Sequence, residues 1–303
     1  MITHDREFFY KYVSSHTAKA ILRNGSVRWS SPRIFNDPFD VQVDLHLPFT
    51  EDEYVNAAMN QIIIHHAKGR SEPIKANNNT VILFNLLLDR MRSVVPGLSE
   101  VQLKGEFLPS LREGHARAIA QLPEVHKEIR DLLGDICVFC ISEIPDNLLM
   151  WSHYSDSHKG AVIKFKCLPE KDTALCAATQ VKYQQDMPVW ASLDEWINSN
   201  FGGEPLSKRK YLDSITATKS NAWKYEKEWR VISSFRTPIE VQRGYADYSI
   251  YPKEIVELIL GCRMSEIDRA EILALTASMY SHVSLFQAAV HSKRFELVFN
   301  LIK

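Results

Sequence analysis

The chain has 303 residues, of which 45% are hydrophobic and 24% charged, the balance of an ordinary globular protein whose core needs no disulfide support. Its 36 lysines and arginines nearly cancel its 37 aspartates and glutamates, which excludes a protein that binds nucleic acid through overall positive charge. The five cysteines, an odd number, and the lack of a signal peptide predict a reducing, cytoplasmic environment. The apolar runs are shorter than the roughly 20 residues of a membrane helix, so no membrane partner is expected.

The N-terminal residues predict two short strands around a helix. Residues 7–13, "EFFYKYV", are aromatic and β-branched, which favours a strand. Ser14 or Ser15 is a suitable N-cap for a short helix that stops at Asn24-Gly25. "SVRWSS" predicts a second strand. A proline-punctuated loop then leads into the alternating run "VQVDL".

The sequence changes character between residues 50 and 131. Thr50 precedes an acidic first turn, which is the signature of a helix start. The rest of this block has helical spacing and predicts three or four helices, with "PEVHKEIRDLLGD" as the last of them. We therefore expect a helical insertion at 50–131 within one domain that covers residues 1–303.

Strand patterns return at residue 135 and dominate the remaining sequence. "DICVFCISE", "GAVIKFKC" and "ATQVKYQ" predict strands, two helices are predicted between residues 188 and 220, and "EKEWRVISSF" predicts a further strand. A capped helix near 265–279 and one or two closing strands complete the pattern. Strands and helices that group separately predict an α+β fold with a mixed, largely antiparallel sheet.

Glu226 and Glu228 are the first candidates for chemistry. On a strand, residues two apart point the same way, so both carboxylates would share one face while Trp229 and Val231 take the other. Two close carboxylates stabilise a sugar cation as a glycosidic bond breaks, and their mutual repulsion raises one pKa. The alternative is a solvated face of an edge strand, with Arg230 in a surface ion pair with Glu228.

The segment "RWSSPRIFNDPFD" is the second candidate. Trp29, Ser30 and Ser31 end a predicted strand, and strand-end hydroxyls beside aromatic rings suit a flat ring such as nicotinamide. Asn36-Asp37-Pro38 is a turn signal, and a purely structural turn explains it equally well. On the functional interpretation, Asn36 or Asp40 lies near a ribose.

The segment "MWSHYSDSHKG" is the third candidate. His153 and Tyr154 are expected to anchor a loop through buried hydrogen bonds, and the second choice is that Tyr154 or Lys159 lines a phosphate-bearing site. His153 and His158 lack further ligands for zinc, and Cys137-x-x-Cys140 has no second pair. No metal site is therefore expected, and the cysteines are interpreted as structural.

These segments together resemble a large bacterial family of domains of unknown function. The family pattern runs Tyr-Lys-Tyr, Phe-Asn-Asp-Pro-Phe-Glu, Cys-Phe-Ser, Met-Trp-x-His-Tyr-x-x-x-His-x-Gly and Trp-x-x-Glu-x-Glu-Trp-Arg. The resemblance spans about residues 8–235, and its last two motifs are specific. Asp40 stands where Glu is usual in the family, and Ile141 stands where Phe is usual.

A second resemblance is to ADP-ribosyltransferases of the DarT-like and RNA-phosphotransferase-like kind. "FYKYVSSHTAKAILRNGSVRWSSP" is similar to the opening of those enzymes, and the Glu-x-Glu strand is similar to their third motif. The resemblance implies a sheet core of ADP-ribosyltransferase type, with Glu228 as the catalytic carboxylate and Glu226 assisting. Lys11 stands where a His or Arg is usual.

The same resemblance implies the reaction and the partners. NAD would be the co-substrate, bound between the two strand groups, and the target would be RNA, DNA or protein. Many such bacterial enzymes act as toxins or in phage defence, so an antitoxin partner is a further expectation. The expected NAD contacts are Lys11, Tyr12, Trp29, Ser30, Ser31, Asn36, Asp37 and Tyr154. The expected target contacts are His153, Lys159, Lys219 and Arg230.

Other functions stay open on the sequence alone. Lys208, Arg209, Lys210 and Lys219 form a basic stretch that either approaches nucleic acid or is simply a solvated helix face. The main rival to an enzyme is a non-catalytic interaction module, in which Trp151, His153, Glu228 and Arg230 hold a polar core network together. A nuclease is a third possibility, but no acidic metal cluster is evident.

Overall fold

The structure, a computed structural model, describes residues 3–41, 46–70 and 72–302. These residues form an α+β fold with a mixed, mostly antiparallel ten-stranded sheet. No helix in these three ranges is long and apolar enough to cross a membrane. Most of the predicted alternating run "VQVDL" lies outside the described residues.

The strands and α-helices follow one another in an order close to the predicted one. The strands are β1 (Phe8–Val13), β2 (Ser26–Ser30), β3 (Ile136–Ser142), β4 (Ala161–Lys166), β5 (Thr179–Gln180), β6 (Lys182–Gln184), β7 (Thr218–Ser220), β8 (Glu228–Ser234), β9 (Tyr245–Ser249), β10 (Ile255–Leu260), β11 (Ser284–Val290) and β12 (Leu297–Leu301). The α-helices are α1 (Ser15–Asn24), α2 (Glu51–Lys68), α3 (Asn79–Val94), α4 (Glu100–Gly134), α5 (Leu148–His153), α6 (Leu193–Asn200), α7 (Lys208–Thr216), α8 (Pro238–Arg243) and α9 (Glu266–Met279).

The large sheet runs in the order β12-β11-β10-β4-β1-β3-β2-β9, with β8 paired to β3 and to the short β5. Its pairings are antiparallel except for the parallel pair β10 and β11. Strands β6 and β7 form a separate parallel pair. This topology places β1 and β3 at the middle of the sheet, where the functional candidates lie.

The chain divides into two compact units. The first comprises the described residues of 1–42, 132–186 and 216–303 and holds the sheet. The second comprises those of 43–131 and 187–215 and is helical. The helical unit is therefore larger than the predicted insertion at 50–131, because it includes α6 and nearly all of α7.

The predicted helices at the end of the block form one continuous helix, α4. The prediction separated them at Pro123, since a proline inside a helix removes one backbone hydrogen bond and crowds the preceding turn. The observed helix continues across both Pro109 and Pro123. Leu103, Phe107 and Leu111 on α4 are buried with residues of α2, so tertiary packing offsets this local cost.

Each face of the large sheet has its own buried cluster. On one face, Phe9 and Phe165 pack with the buried side of α1, where Ala18, Ile21 and Leu22 are spaced as one helix stripe. The Ser14 side chain accepts a hydrogen bond from the Thr17 amide, which confirms the predicted N-cap. The second cluster is centred on Trp151, and it includes Tyr12 and Met150.

The core of the sheet predicts a clear stability difference between two aliphatic truncations. Ile163 on β4 is fully buried, so Ile163→Ala should lower the free energy of unfolding by about 2–5 kcal/mol. Val290→Ala, a truncation at a side chain that is 72% exposed, should change it by less than about 0.5 kcal/mol. Urea denaturation followed by circular dichroism measures both, and equal effects would contradict the observed packing.

Candidate functional site

The candidate site lies where β1 and β3 diverge. The register between these strands places Tyr10 opposite Ser142, while the whole of β1 also pairs with β4 and the whole of β3 pairs with β8. Where the two strands part, the Lys11 ammonium donates to the carbonyl oxygen of Cys140 at 2.6 Å. In a regular ladder, a backbone amide of the neighbouring strand would donate to this oxygen. Divergence of the strands leaves room for a cavity at this position.

That cavity, called the carboxylate cavity below, has a volume of about 160 Å³. Aromatic rings form much of its wall, and three carboxylates and two lysines also face it. The lining residues are Tyr10, Lys11, Tyr12, Phe35, Asn36, Asp40, Cys140, Ile141, Ser142, Met150, Tyr154, Lys219, Glu226 and Glu228. It therefore joins apolar surface for a ring with several converging polar groups.

Arg230 on β8 is the centre of a buried ion-pair network. Its side chain is 1% exposed. Nη2 donates to both carboxylate oxygens of Asp40, at 2.8 and 2.7 Å, and Nε donates to Glu228 Oε1 at 2.8 Å. Nη1 donates to the carbonyl oxygen of Thr216 at 2.9 Å. The rigid guanidinium thus fixes the positions of two carboxylates.

Lys219 on β7 joins the second glutamate to this network. Its ammonium donates to Glu226 Oε2 at 2.6 Å and to Glu228 Oε2 at 3.0 Å, and it lies 4.9 Å from the centre of the Trp223 ring. The Tyr154 hydroxyl donates to the other oxygen of Glu226 at 2.5 Å. The two glutamates are therefore held next to each other by one shared ammonium.

The structure corrects the predicted setting of the two glutamates. Glu226 ends a 3-10 helix (Asn221–Glu226), Lys227 is left-handed with φ 44°, and β8 starts at Glu228, so the two do not share a strand. Strand β8 is not an edge, since it lies between β3 and β5. The pair formed by Arg230 and Glu228, interpreted from the sequence as a surface pair, is buried.

The environments of the two glutamates push their pKa values apart. Burial alone raises the pKa of Glu228, but the charges of Arg230 and Lys219 outweigh it and hold that pKa well below its ordinary value. Burial raises the pKa of Glu226, and the charge of Glu228 adds to this against the opposing effect of Lys219. Glu228 is thus a permanent anion, and Glu226 is the group suited to carry a proton.

The pKa values of the other ionisable groups in the site depend on the same charges. Burial raises the pKa of Asp40, although Arg230 opposes the shift. Burial lowers the pKa of Lys219, but Glu228, Glu226 and Asp40 together raise it well above its ordinary value. Lys219 therefore stays an ammonium and does not act as a nucleophile. Burial and the neighbouring Glu226 raise the pKa of Tyr154, which stays protonated and donates.

Seven residues that the sequence placed in the site line the carboxylate cavity together, and an eighth, Arg230, contacts one of them, Glu228. The seven are Lys11, Tyr12, Asn36, Tyr154, Lys219, Glu226 and Glu228. Asp40, which the sequence placed near a ribose, also lines the cavity. The Tyr12 hydroxyl donates to the Ile144 carbonyl oxygen at 2.9 Å, so its position is fixed by backbone.

Four of the predicted NAD contacts lie elsewhere. Trp29 lines a different cavity, and Ser30 on β2 is opposite Val138 on one side and Tyr245 on the other. Ser31 is buried and caps a short 3-10 helix by accepting from the Arg33 amide. Asp37 is buried and accepts from the Phe39 amide at 2.9 Å, as in the structural turn that the sequence left open.

The predicted target contacts divide into two sets, because Lys219 and Arg230 both contact Glu228 while His153 and Lys159 are exposed. Exposed His153 has its Nδ1 3.1 Å from the Tyr225 hydroxyl, so it is not the buried anchor that was predicted. Lys159 is exposed in the turn that follows α5. Lys219 was predicted to continue the basic stretch 208–210, yet it lies buried on β7 while those three residues lie on α7.

The basic stretch on α7 is largely neutralised within its own unit. Lys208 forms an ion pair with Glu128, Arg209 with Asp213, and Lys210 with Glu195. These pairs are exposed, so each contributes little to stability, about 0–1 kcal/mol. These pairs agree with a solvated helix face, which was one of the two interpretations of this basic stretch.

The cysteines have no metal-binding arrangement. All five are free thiols. In the part of the chain that the structure describes, no group of three or more His, Cys, Asp or Glu side chains is placed to hold a metal ion. Cys140 faces the carboxylate cavity, and burial raises the pKa of its thiol well above the ordinary value, so it is not a reactive thiolate.

Sequence reasoning missed Tyr183 and Tyr10. The Tyr183 hydroxyl accepts a hydrogen bond from the Glu228 amide at 2.8 Å and so fixes the start of β8. Tyr183 lies on β6, far from Glu228 in sequence, and no local motif links the two positions. Tyr10 lines the cavity beside Tyr12, and the alternation of β1 was the one signal that pointed to it.

Comparison with known families gives one match. Residues 150–231 match the model of a family described as protein of unknown function (DUF2971). No curated protein and no solved structure matches the chain. The matched segment contains Tyr154, Lys219, Glu226, Glu228 and Arg230, the larger part of the ion-pair network.

Removing the central guanidinium should be strongly destabilising. Arg230→Met leaves the Asp40 and Glu228 carboxylates buried without their main counter-charge, so we expect a loss of about 3–5 kcal/mol in the free energy of unfolding. Arg209→Met removes an arginine whose side chain is 85% exposed and should cost about 0–1 kcal/mol. Urea denaturation at neutral pH compares the two, and a similar small loss for both would show that the network contributes no stability.

The split pKa values predict opposite pH dependences for two glutamine variants. Because the folded pKa of Glu226 is raised, its contribution is present below the ordinary value of 4.5 and is lost as pH rises through the folded pKa. Wild type should therefore gain stability relative to Glu226→Gln as pH falls from 7 toward 4.5.

Glu228→Gln is the matched control for this titration. The folded pKa of Glu228 is lowered, so its contribution is present above the ordinary value of 4.5 and is lost as pH falls through the folded pKa. The stability difference between wild type and Glu228→Gln should stay constant from pH 7 to 5 and shrink only in stronger acid. Denaturant titrations at each pH measure both differences, and identical profiles for the two variants would contradict the assignment.

Proposed function

We propose that this chain is an NAD-dependent ADP-ribosyltransferase whose active site is the carboxylate cavity. One observation carries the proposal: Glu226 and Glu228, two adjacent carboxylates with oppositely shifted pKa values, line a ring-sized cavity with aromatic walls. Cleavage of the nicotinamide–ribose bond develops positive charge on the ribose, and a fixed anion beside that ring lowers the barrier.

The size of the cavity supports a single ring as its occupant. At about 160 Å³ it is comparable to the engineered protein cavity of about 150 Å³ that binds benzene. A nicotinamide or a ribose ring has this size, whereas a whole dinucleotide does not. The proposal therefore places the nicotinamide end of NAD in the cavity and leaves the adenosine end outside it.

The charge balance of the network also supports a cationic transition state. Three carboxylates, those of Asp40, Glu226 and Glu228, are ion-paired with two cations, Lys219 and Arg230. With all five groups charged, the network itself has one excess negative charge, and the Lys11 ammonium, which is bonded to the Cys140 carbonyl oxygen, is a further cation at the cavity wall. A ribosyl cation beside it would complete the balance, whereas an anionic intermediate would be repelled.

The proposed reaction assigns separate roles to the two glutamates. The bond between the ribose C1′ and the nicotinamide nitrogen breaks, and nicotinamide leaves with the bonding electrons. Glu228 stays ionised and stabilises the resulting cation. A nucleophile of the target forms the new bond to C1′, and Glu226 accepts the proton that this nucleophile releases, for which a raised pKa is favourable. Water as the nucleophile gives NAD hydrolysis as a side reaction.

We further propose that the target is a macromolecule, RNA, DNA or protein, and that the enzyme acts as a toxin or phage-defence effector. The proposal rests on the resemblance of the N-terminal strands and the Glu-x-Glu motif to such enzymes. Lys11 at the cavity wall is one of the proposed contacts with NAD. A cytoplasmic location and a protein antitoxin are part of the same proposal.

A non-catalytic interaction module is the competing proposal, and one observation favours it. Glu228 is 5% exposed, and both its oxygens already accept hydrogen bonds from Arg230 and Lys219. In that case the network serves only to hold β7 and β8 against the loop that contains Asp40. The two proposals differ in whether NAD is consumed.

Nicotinamide release from NAD tests the enzyme proposal. We expect wild type to release nicotinamide and Glu228→Gln to do so at least about a hundredfold more slowly, because the fixed anion is lost. Glu226→Gln should slow transfer to a target more than it slows NAD cleavage, because its proposed role follows bond breaking. Chromatography of the products quantifies both steps.

Two controls keep this test decisive. Glu266→Gln changes a glutamate that is 87% exposed on α9, and it should match wild type. Circular dichroism should show Glu228→Gln to be folded, so that lost activity is not lost structure. Equal nicotinamide release by wild type and folded Glu228→Gln would refute the proposal, as would no release by wild type in a cell lysate that supplies candidate targets.

A further inference from the structure

A second cavity, of about 300 Å³, lies against the opposite face of the same sheet. Alternation along two strands establishes the side: on β3, Cys140 lines the carboxylate cavity while Phe139 lines the second one. On β8, Glu228 lines the carboxylate cavity and Ser233 lines the second one. The proposed enzyme chemistry does not use this second cavity.

Aromatic rings form the floor of the second cavity. Trp29 stacks on Phe139 with ring centres 5.8 Å apart and lies 4.7 Å from Tyr248. Phe165 and Tyr251 also line the space. Such rings favour a flat occupant, because offset-stacked and edge contacts add to the burial of apolar area. The Trp29 indole N–H is buried and has no hydrogen-bond partner among the described residues.

Glu254 is a buried acid that lines the second cavity, where exposed Asp172 also lies. It is 5% exposed, and one of its oxygens accepts a hydrogen bond from the Tyr251 amide at 2.8 Å, which caps the short turn before β10. Among the described residues no lysine, arginine or histidine forms an ion pair with it, and burial raises its pKa above the ordinary value. The second Glu254 oxygen is not among the fully buried unpartnered atoms of the described residues, so it is reachable and can accept a hydrogen bond from a ligand.

We propose that the second cavity binds a planar heteroaromatic ring that carries an amino group, of the aminopurine class. The ring lies against the aromatic floor formed by Trp29, Phe139 and Tyr248, and its amino group donates to Glu254. An acceptor nitrogen at the ring edge suits the unsatisfied indole N–H of Trp29. Capping of the turn gives a role to one oxygen of Glu254 only. A bound ligand would give a role to the other oxygen, to the aromatic rings and to the cavity itself.

The size of the cavity agrees with a two-ring ligand. Its volume is nearly twice that of the carboxylate cavity, which holds one ring at most. Exposed Lys171 lies at the same cavity, where it is available to a sugar or phosphate attached to the ring. The inference does not depend on the proposed transferase activity, since no residue is shared between the two cavities.

Isothermal titration with adenosine and with purine riboside tests this inference. The two nucleosides differ only in the exocyclic amino group, so adenosine should bind at least about tenfold more tightly if that group donates to Glu254. Glu254→Gln should weaken adenosine binding by a similar factor. Glutamine keeps an acceptor for the Tyr251 amide, so the turn and the fold should be retained.

Two further variants locate the binding site. Ser233→Phe fills the second cavity from β8 without touching Glu254 and should abolish adenosine binding. Glu226→Gln alters the carboxylate cavity and should leave adenosine binding unchanged. No heat of binding with wild type, equal affinity for the two nucleosides, or a loss of binding in Glu226→Gln but not in Glu254→Gln would each overturn the inference.

Discussion

The buried guanidinium of Arg230 is the interaction on which the candidate site depends. A fully buried cation is tolerated only where every donor has a partner and nearby anions offset the loss of hydration. Here Asp40, Glu228 and the Thr216 carbonyl supply those partners, so one side chain ties together β8, the loop after β2 and the residues just before β7. The negative charge needed to keep Arg230 buried also lines the cavity. Asp40 and Glu228 therefore both keep Arg230 in place and face the cavity.

The large sheet separates the two cavities, and neighbouring residues of one strand, Phe139 and Cys140, line one cavity each. On β3, Cys140 lines the carboxylate cavity and Phe139 lines the aromatic one, and on β8 Glu228 lines the first and Ser233 the second. The divergence of β1 from β3 creates the first of these spaces, because strands that part leave backbone groups to be satisfied by side chains such as Lys11. The large sheet is thus both the scaffold of the fold and the partition between its two cavities.

The segment that matches the family model contains only part of the site. Residues 150–231 supply Lys219, both glutamates and Arg230, whereas Lys11 and Asp40 come from the N-terminal strand and loop. The network is complete only when these distant segments meet. Tyr12 and Asn36, which also line the cavity, lie outside the matched range as well.

Local patterns in the sequence determined most of the secondary structure, including the capped helix at Ser14, the strands β3 and β4, and the helices α2 and α3. These features depend on alternation, capping and helical spacing, which act between near neighbours. Only the tertiary structure decided that Glu226 lies outside β8, that Arg230 is buried, and that Trp29 and Glu228 belong to different cavities. Those facts depend on strand order and on charges that meet from positions about 190 residues apart, as Asp40 and Arg230 do. A sequence pattern records which residues are polar, but the free energy of burying them depends on partners that the pattern does not contain.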